Sequence, residues 1–176
     1  MLRFLHGPAL SLSLTLTKDR DWNPFIAHAH CPELGPQAAV RDGLARHAGT
    51  AFGRKHRFGS LRRYEEFASE VPVCTYEDLR PAIEVQEKSR EPLLTSGQPI
   101  LFAQTSGTTG VPKNIPILPQ TVEAIRRYQG LCAYAQWQGV PAIYQGRVLV
   151  ISGQTIEGHL PDGTPFGSVS GLMFDC

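Results

Sequence analysis

The sequence predicts an α/β protein with an incomplete sheet, on three observations. From about residue 36 onward, helical periodicity alternates with short extended runs. One of these runs, Pro99-Ile100-Leu101-Phe102-Ala103, is apolar throughout and passes straight into a glycine- and threonine-rich loop. No repeat, low-complexity tract or long Pro/Gly/Ser linker divides the chain. The 176 residues are 41% hydrophobic and 19% charged, a balance that excludes a disordered or fibrous chain. Seventeen basic side chains against 16 acidic ones leave a formal charge of +1, so no overall field recruits nucleic acid or an anionic membrane. Neither partner is expected.

At the N-terminus, Leu10, Leu12, Leu14 and Leu16 alternate with Ser and Thr. The run falls far short of the roughly 20 apolar residues of a membrane span, and no A-x-A cleavage site follows it. Its period of two predicts a half-buried strand or a disordered leader. Residues 1–30 therefore read as a leader of unclear structure, residues 31–176 as the body of the protein, and the location as cytoplasmic. Cys31, Cys74, Cys132 and Cys176 show no CxxC pairing, so reduced thiols are expected. The cluster His28-Ala-His30-Cys31 has no further Cys/His group at a spacing that completes four zinc ligands, and no metal-ligating residue is assigned.

A helix is predicted to start near Pro36, bury Ala39, Val40, Leu44 and Ala48, and end at Gly49. A second is predicted after Ser60 as N-cap, with Leu61, Tyr64, Phe67 and Ala68 on one side and Glu66 near its start. Val71-Pro72-Val73 reads as extended. Thr75-x-x-Asp78 resembles a capping box opening a helix into Glu84–Lys88, which Pro81 must kink or delay. Beyond the loop, Ile115-Pro116-Ile117 is extended. Pro119 and Thr121 open the longest helix, through Val122, Ile125, Tyr128, Cys132 and Trp137, and Gly139 and Pro141 stop it. Arg147–Ser152, RVLVIS, reads as a strand. Turns are expected at Pro161-Asp162-Gly163 and at Pro165-Phe166-Gly167, with no closing helix after them.

The chemistry is concentrated in Thr105–Lys113, TSGTTGVPK. Gly107 and Gly110 allow backbone N–H groups to approach an anion closely, while Thr105, Ser106, Thr108 and Thr109 place four hydroxyls within five residues. Lys113 adds a mobile positive charge. Neutral donors with one ammonium suit a triphosphate whose pyrophosphate must be held and then released. The spacing excludes a Walker A loop, which needs Gly directly before Lys and a hydroxyl directly after, because Val111 and Pro112 precede Lys113 and Asn114 follows it. A bland Ser/Thr/Gly turn is the competing reading, and nine consecutive residues in register after an apolar strand favour phosphate binding over it.

TSGTTGVPK resembles the first core motif of the adenylate-forming superfamily. Its flanks, TAFGRKHRFGSLRRYEEFASEVPVCTYEDLRPAIE (Thr50–Glu84), PILFAQTSGTTGVPKNIPI (Pro99–Ile117) and ISGQTIEGHLPDGTPFGSVSGLM (Ile151–Met173), are similar to the auxin-responsive promoter family of acyl-acid amido synthetases. That resemblance implies the N-terminal part of a luciferase-like adenylating domain, truncated at Cys176, with the second and third nucleotide motifs and the mobile C-terminal domain beyond it. It further implies ATP and Mg2+ as cofactors and Thr105, Ser106, Gly107, Thr108, Thr109, Gly110 and Lys113 as nucleotide-binding residues, Lys113 also being catalytic. The implied reaction converts a small carboxylic acid to an acyl-adenylate with loss of pyrophosphate, then passes the acyl group to an amino acid amine. An acyl-CoA ligase of the same superfamily and a catalytically inactive truncated module are the alternatives.

Three other features have plainer readings. The basic run Arg54-Lys55-His56-Arg57 with Arg62-Arg63 is followed by Glu65, Glu66 and Glu70, and reads as a mixed solvated face. Tyr128, Tyr134 and Trp137 read as core rather than as an acyl pocket. His159 and Asp162 have no GxSxG elbow to serve and read as turn residues. Strands whose neighbours lie downstream are expected to leave apolar surface uncovered, and stability to be marginal.

Overall fold

The computed structural model describes residues 14–89, 91–105, 110–144, 149 and 151–175. Its contacts divide the chain into two compact units, Met1–Pro32 with Glu123–Ile151, and Glu33–Val122 with Ser152–Cys176.

In the first unit residues 14–17 are helical, Lys18–Trp22 form a π-helical turn, and helix α1 follows at Asn23–Ala29. The strand or disordered reading of Leu10–Leu16 therefore fails from Leu14 onward, and residues 1–13 lie outside the described residues. The reason is visible in the burial. Leu14, Thr17 and Asp21 are buried and Leu16 is exposed, a spacing of three and four rather than two. Trp22 packs at 5.2 Å from Tyr134 and 6.0 Å from Phe25, ring centre to ring centre. Tyr134 belongs to the long helix that continues through Gly139, after which a 3-10 turn, Pro141–Tyr144, sends the Tyr144 hydroxyl back to the Ala133 carbonyl at 3.2 Å and to Gln136 Oε1 at 2.8 Å. Of the aromatics assigned to a core, Tyr134 is buried and Trp137 half-buried. Tyr128 is not core but 63% exposed, because it falls on the outer side of the helix.

Asp21 is only 2% exposed, and its carboxylate accepts hydrogen bonds from Arg20 Nε at 2.9 Å and Arg127 Nε at 3.0 Å. The Arg20 bond, reinforced by the Arg127 bond and both charges, holds the carboxyl below the usual range against the opposing effect of burial.

The second unit contains α2 (Leu34–His47), α3 (Ala51–Lys55), α4 (Tyr64–Glu70), α5 (Tyr76–Ser89), strands β1 (Leu101–Gln104) and β2 (Asn114–Ile117), the first turn of α6 (Pro119–Gly139), β3 (Gly158–His159), β4 (Pro165–Gly167) and α7 (Val169–Asp175). Its sheet has the order β2-β1-β4-β3, with β1 antiparallel to β2 and parallel to β4. The hairpin β3–β4 turns at Gly163, whose φ of 85° suits glycine, and Asp162 accepts from both the N–H and the hydroxyl of Thr164, at 2.8 and 2.7 Å. Leu101, Phe102, Ala103, Ile117 and Leu118 are buried with Leu44, Leu61, Ile83 and Leu172 to form this unit's core.

Four local expectations are corrected. The helix after Ser60 starts at Tyr64, because Leu61 is extended and Glu66 reaches back to the N–H groups of Arg62 and Arg63, at 2.7 and 3.3 Å, while the Ser60 hydroxyl donates to the Arg57 carbonyl instead. Pro165-Phe166-Gly167 is strand β4 rather than a turn, since Phe166 pairs with Phe102 on one side and Gly158 on the other. A closing helix does exist. In α7, Ser168 caps the Gly171 N–H at 3.0 Å. The RVLVIS strand is absent at its described residues Leu149, Ile151 and Ser152; Leu149 is 86% and Ile151 90% exposed, and no described strand pairs with them. A β-rich run becomes a strand only when a neighbour takes its ladder bonds and covers its side chains. Leu44 is buried as expected, but Ala39, Tyr64 and Ala68 are exposed, and His159 lies in β3 rather than in a turn. The helix α5 runs from Tyr76 through Pro81, so its start is not delayed, and Thr75 donates from both N–H and hydroxyl to Asp78 Oδ2 at 2.7 Å. Arg57–Glu70 at 2.6 Å and Arg63–Glu66 at 3.0 Å make the mixed charged face. Cys31, Cys74 and Cys132 are free thiols.

Thr50, fully buried, joins α2 to α3. Its hydroxyl donates to the His47 carbonyl at 2.8 Å and accepts from the Gly53 N–H at 2.9 Å, and a Cβ on Gly53 would collide with that same carbonyl. Thr50→Ala is expected to lower unfolding free energy by about 1–2 kcal/mol, and Gly53→Ala by about 1–3 kcal/mol, in urea titrations. Asp21 provides a second test. Because its folded pKa lies below the unfolded value near 3.9, its contribution is present above about pH 4 and disappears as pH falls through the folded value. Asp21→Asn should lower the melting temperature at pH 7 and flatten its fall below about pH 4.

Candidate phosphate-binding site

The loop Thr105–Lys113 connects the antiparallel strands β1 and β2. Its two ends are tied to each other. The Thr105 N–H donates to the Lys113 carbonyl at 3.0 Å, and the Lys113 N–H donates to Thr105 Oγ1 at 3.2 Å. Thr105, Gly110 and Lys113 are exposed at the mouth of this loop, and the structure brings Thr105 and Lys113 together. Ser106, Gly107, Thr108 and Thr109 lie outside the described residues.

Since Thr105 and Lys113 form a hydrogen-bonded pair, the alternation of antiparallel pairing turns the backbone groups of the next pair, Gln104–Asn114, outward. On the outer edge of β2 the Tyr76 hydroxyl takes both of the groups that Asn114 presents: it accepts from the N–H at 2.8 Å and donates to the carbonyl at 3.0 Å. Pro116, two residues on, shares this edge, where its missing N–H costs no ladder bond. The Asn114 side chain extends the network, accepting from Gln104 Nε2 at 3.2 Å and donating to Glu87 Oε1 at 2.9 Å.

Charge gathers around Tyr76. Lys113 Nζ sits 5.4 Å from the ring centre and Arg80 Cζ 4.9 Å from it. Arg80 also pairs with Glu77 at 2.6 Å, and that bond, then Lys113's charge to a lesser degree, holds the Glu77 carboxyl below its ordinary range. Burial pushes the Tyr76 phenol up, opposed by its bond to Asn114, so it stays protonated at neutral pH. The result is a pinched loop with an ammonium held at one side of its mouth, an arrangement able to bind an anion. Tyr76, Arg80, Glu87 and Asn114 were not among the residues predicted for the site. The capping signal at Thr75–Asp78 marks where α5 starts, but nothing in it points to a partner 38 residues away.

In class, the chain has the fold of an acyl acid amido synthetase. It superposes on "GH3.15 acyl acid amido synthetase" with a TM-score of 0.71 at 24% identity, covering 79% of this chain and 25% of that one. A second structure of that protein, with 2,4-DB, gives 0.69 over 94% of this chain and 28% of that one, again at 24% identity. The GH3 family N-terminal domain matches residues 31–176, and the chain belongs to the GH3 family. Curated relatives include the probable indole-3-acetic acid-amido synthetase GH3.2 of Oryza sativa subsp. japonica, 32% identical over 69% of this chain, and the indole-3-acetic acid-amido synthetase GH3.15 of Arabidopsis thaliana, 30% identical over 68%. The chain spans about a fifth of the length of each, 20% in both cases. The resemblance carried by Thr50–Glu84 and Pro99–Ile117 thus holds at the level of the family.

Asn114 lies between an amide donor and a carboxylate, which makes it sensitive to charge. Asn114→Ala is expected to cost about 1–2 kcal/mol of stability. Asn114→Asp should set two carboxylates against each other, lowering the melting temperature at pH 7 and recovering part of the loss near pH 4 as one of them protonates. A loss equal at both pH values would contradict the Glu87 contact.

Proposed function

We propose that this chain supplies the triphosphate-binding part of an ATP-dependent ligase that adenylates a small carboxylic acid and joins it to an amino acid amine. The observation that carries the reading is the Thr105–Lys113 loop, closed at both ends by backbone and hydroxyl bonds within a member of the GH3 family. The named relatives are amido synthetases of indole-3-acetic acid, which supports an acid and an amine as the two substrates. The sequence Thr105-Ser106-Gly107-Thr108-Thr109-Gly110 supplies hydroxyl and backbone donors, and Lys113 the one cation of the motif.

ATP, when bound, supplies the electrophilic phosphorus, and Mg2+ neutralises charge on its oxygens. The protein's own contribution is positional. Thr105 and Lys113 fix the width of the loop, and the Lys113 ammonium stabilises the negative charge that builds on the departing pyrophosphate. The free thiols support a cytoplasmic setting, and no helix among the described residues is long and apolar enough to cross a membrane.

The protein that carries this chain is expected to exchange labelled pyrophosphate into ATP only when its acid substrate is present. Lys113→Ala should slow that exchange about a hundredfold, while far-UV circular dichroism stays unchanged. Unchanged exchange in the variant would remove Lys113 from the mechanism. A thioester formed with coenzyme A in place of an amide would replace the amine by a thiol as acceptor.

A further inference from the structure

We propose that Tyr76 is the positioning residue of the loop's lysine arm, holding the Lys113–Asn114 backbone through its hydroxyl and the Lys113 ammonium over its ring. The proposal rests on the reading of Thr105–Lys113 as a triphosphate loop. Its basis is one side chain serving two adjacent residues in two ways. The hydroxyl occupies both outward backbone groups of Asn114, at 2.8 and 3.0 Å, and the same ring lies 5.4 Å from Lys113 Nζ.

An edge strand normally leaves such groups to water, so this end of β2 would be free to fray and the loop to change its width. A lysine on a four-carbon stem is likewise free to rotate away from a ligand. Tyr76 restrains both movements from a helix, α5, whose own start is fixed by the Thr75–Asp78 bonds. Arg80 faces the same ring while paired to Glu77, so one of the two nearby cations is already neutralised and Lys113 remains the one offered to an anion. Tyr76 lies outside TSGTTGVPK, 37 positions before Lys113 in the chain, so the restraint on the ammonium comes from beyond the motif.

Binding of ATP is measured by calorimetry for the protein that carries this chain, unaltered and with Tyr76→Phe, Tyr76→Leu, Lys113→Ala and the double variants Tyr76→Phe/Lys113→Ala and Tyr76→Leu/Lys113→Ala, with hydrogen exchange of the Asn114 amide followed in parallel. Tyr76→Phe should weaken ATP binding about fivefold and speed exchange at Asn114, and Tyr76→Leu, which also removes the ring, about tenfold or more. In the Lys113→Ala background, Tyr76→Leu should bind ATP within about twofold of Tyr76→Phe, because the ammonium that the ring positions is gone. A ring that merely packed against the sheet would cost the same extra affinity in both backgrounds, and that result overturns the proposal. So does unchanged affinity in Tyr76→Phe. Lack of ATP binding by the unaltered protein, or no effect of Lys113→Ala, sinks the phosphate reading and the positioning role together; loss in Lys113→Ala alone sinks only the positioning role.

Discussion

A glycine-rich segment presents its N–H groups and hydroxyls to one ligand only if its two ends are held at a fixed separation. Here that separation is the distance between paired strands, and the reciprocal bonds between Thr105 and Lys113 set it. Everything else near the site follows from that pair. It fixes which backbone groups of Gln104 and Asn114 turn outward, and therefore where Tyr76 can bond. The buried side chains of Leu101, Phe102 and Ala103 keep β1 in register beneath the loop, so the apolar core and the polar mouth are two ends of one constraint.

The electrostatics around the mouth are nearly balanced rather than uniformly positive. Glu77 neutralises Arg80, Glu87 is engaged by Asn114, and the only cation of the loop itself is Lys113. A single ammonium is a weaker hold on an anion than a paired guanidinium. A cluster of arginines forming paired bonds would hold an anion more tightly.

The parts legible in the sequence were those governed by local rules. Pro99–Ala103 reads as a buried strand because five apolar residues are bounded by turn signals, and Pro119 to Gly139 reads as a helix because its start and stop are both marked. The Thr75–Asp78 capping signal was equally local. Tyr76 was passed over for the opposite reason: its role depends on a bond to Asn114 that no periodicity records. Leu14 was misread because two alternating residues and one helical turn look alike until burial of Thr17 and Asp21 decides between them. RVLVIS has strong strand propensity, yet Leu149 and Ile151 stay exposed, which shows how much that propensity depends on a neighbour.

The outer edge of β2 has one more consequence. A bare strand edge is a template onto which another chain can add, and short apolar edges such as Asn114–Ile117 are common starting points for aggregation. Pro116 offers no N–H there, and the Tyr76 hydroxyl already holds both groups of Asn114. The bonds between Tyr76 and Asn114 therefore also close the edge to intruding strands, and a protein that loses them is expected to lose solubility.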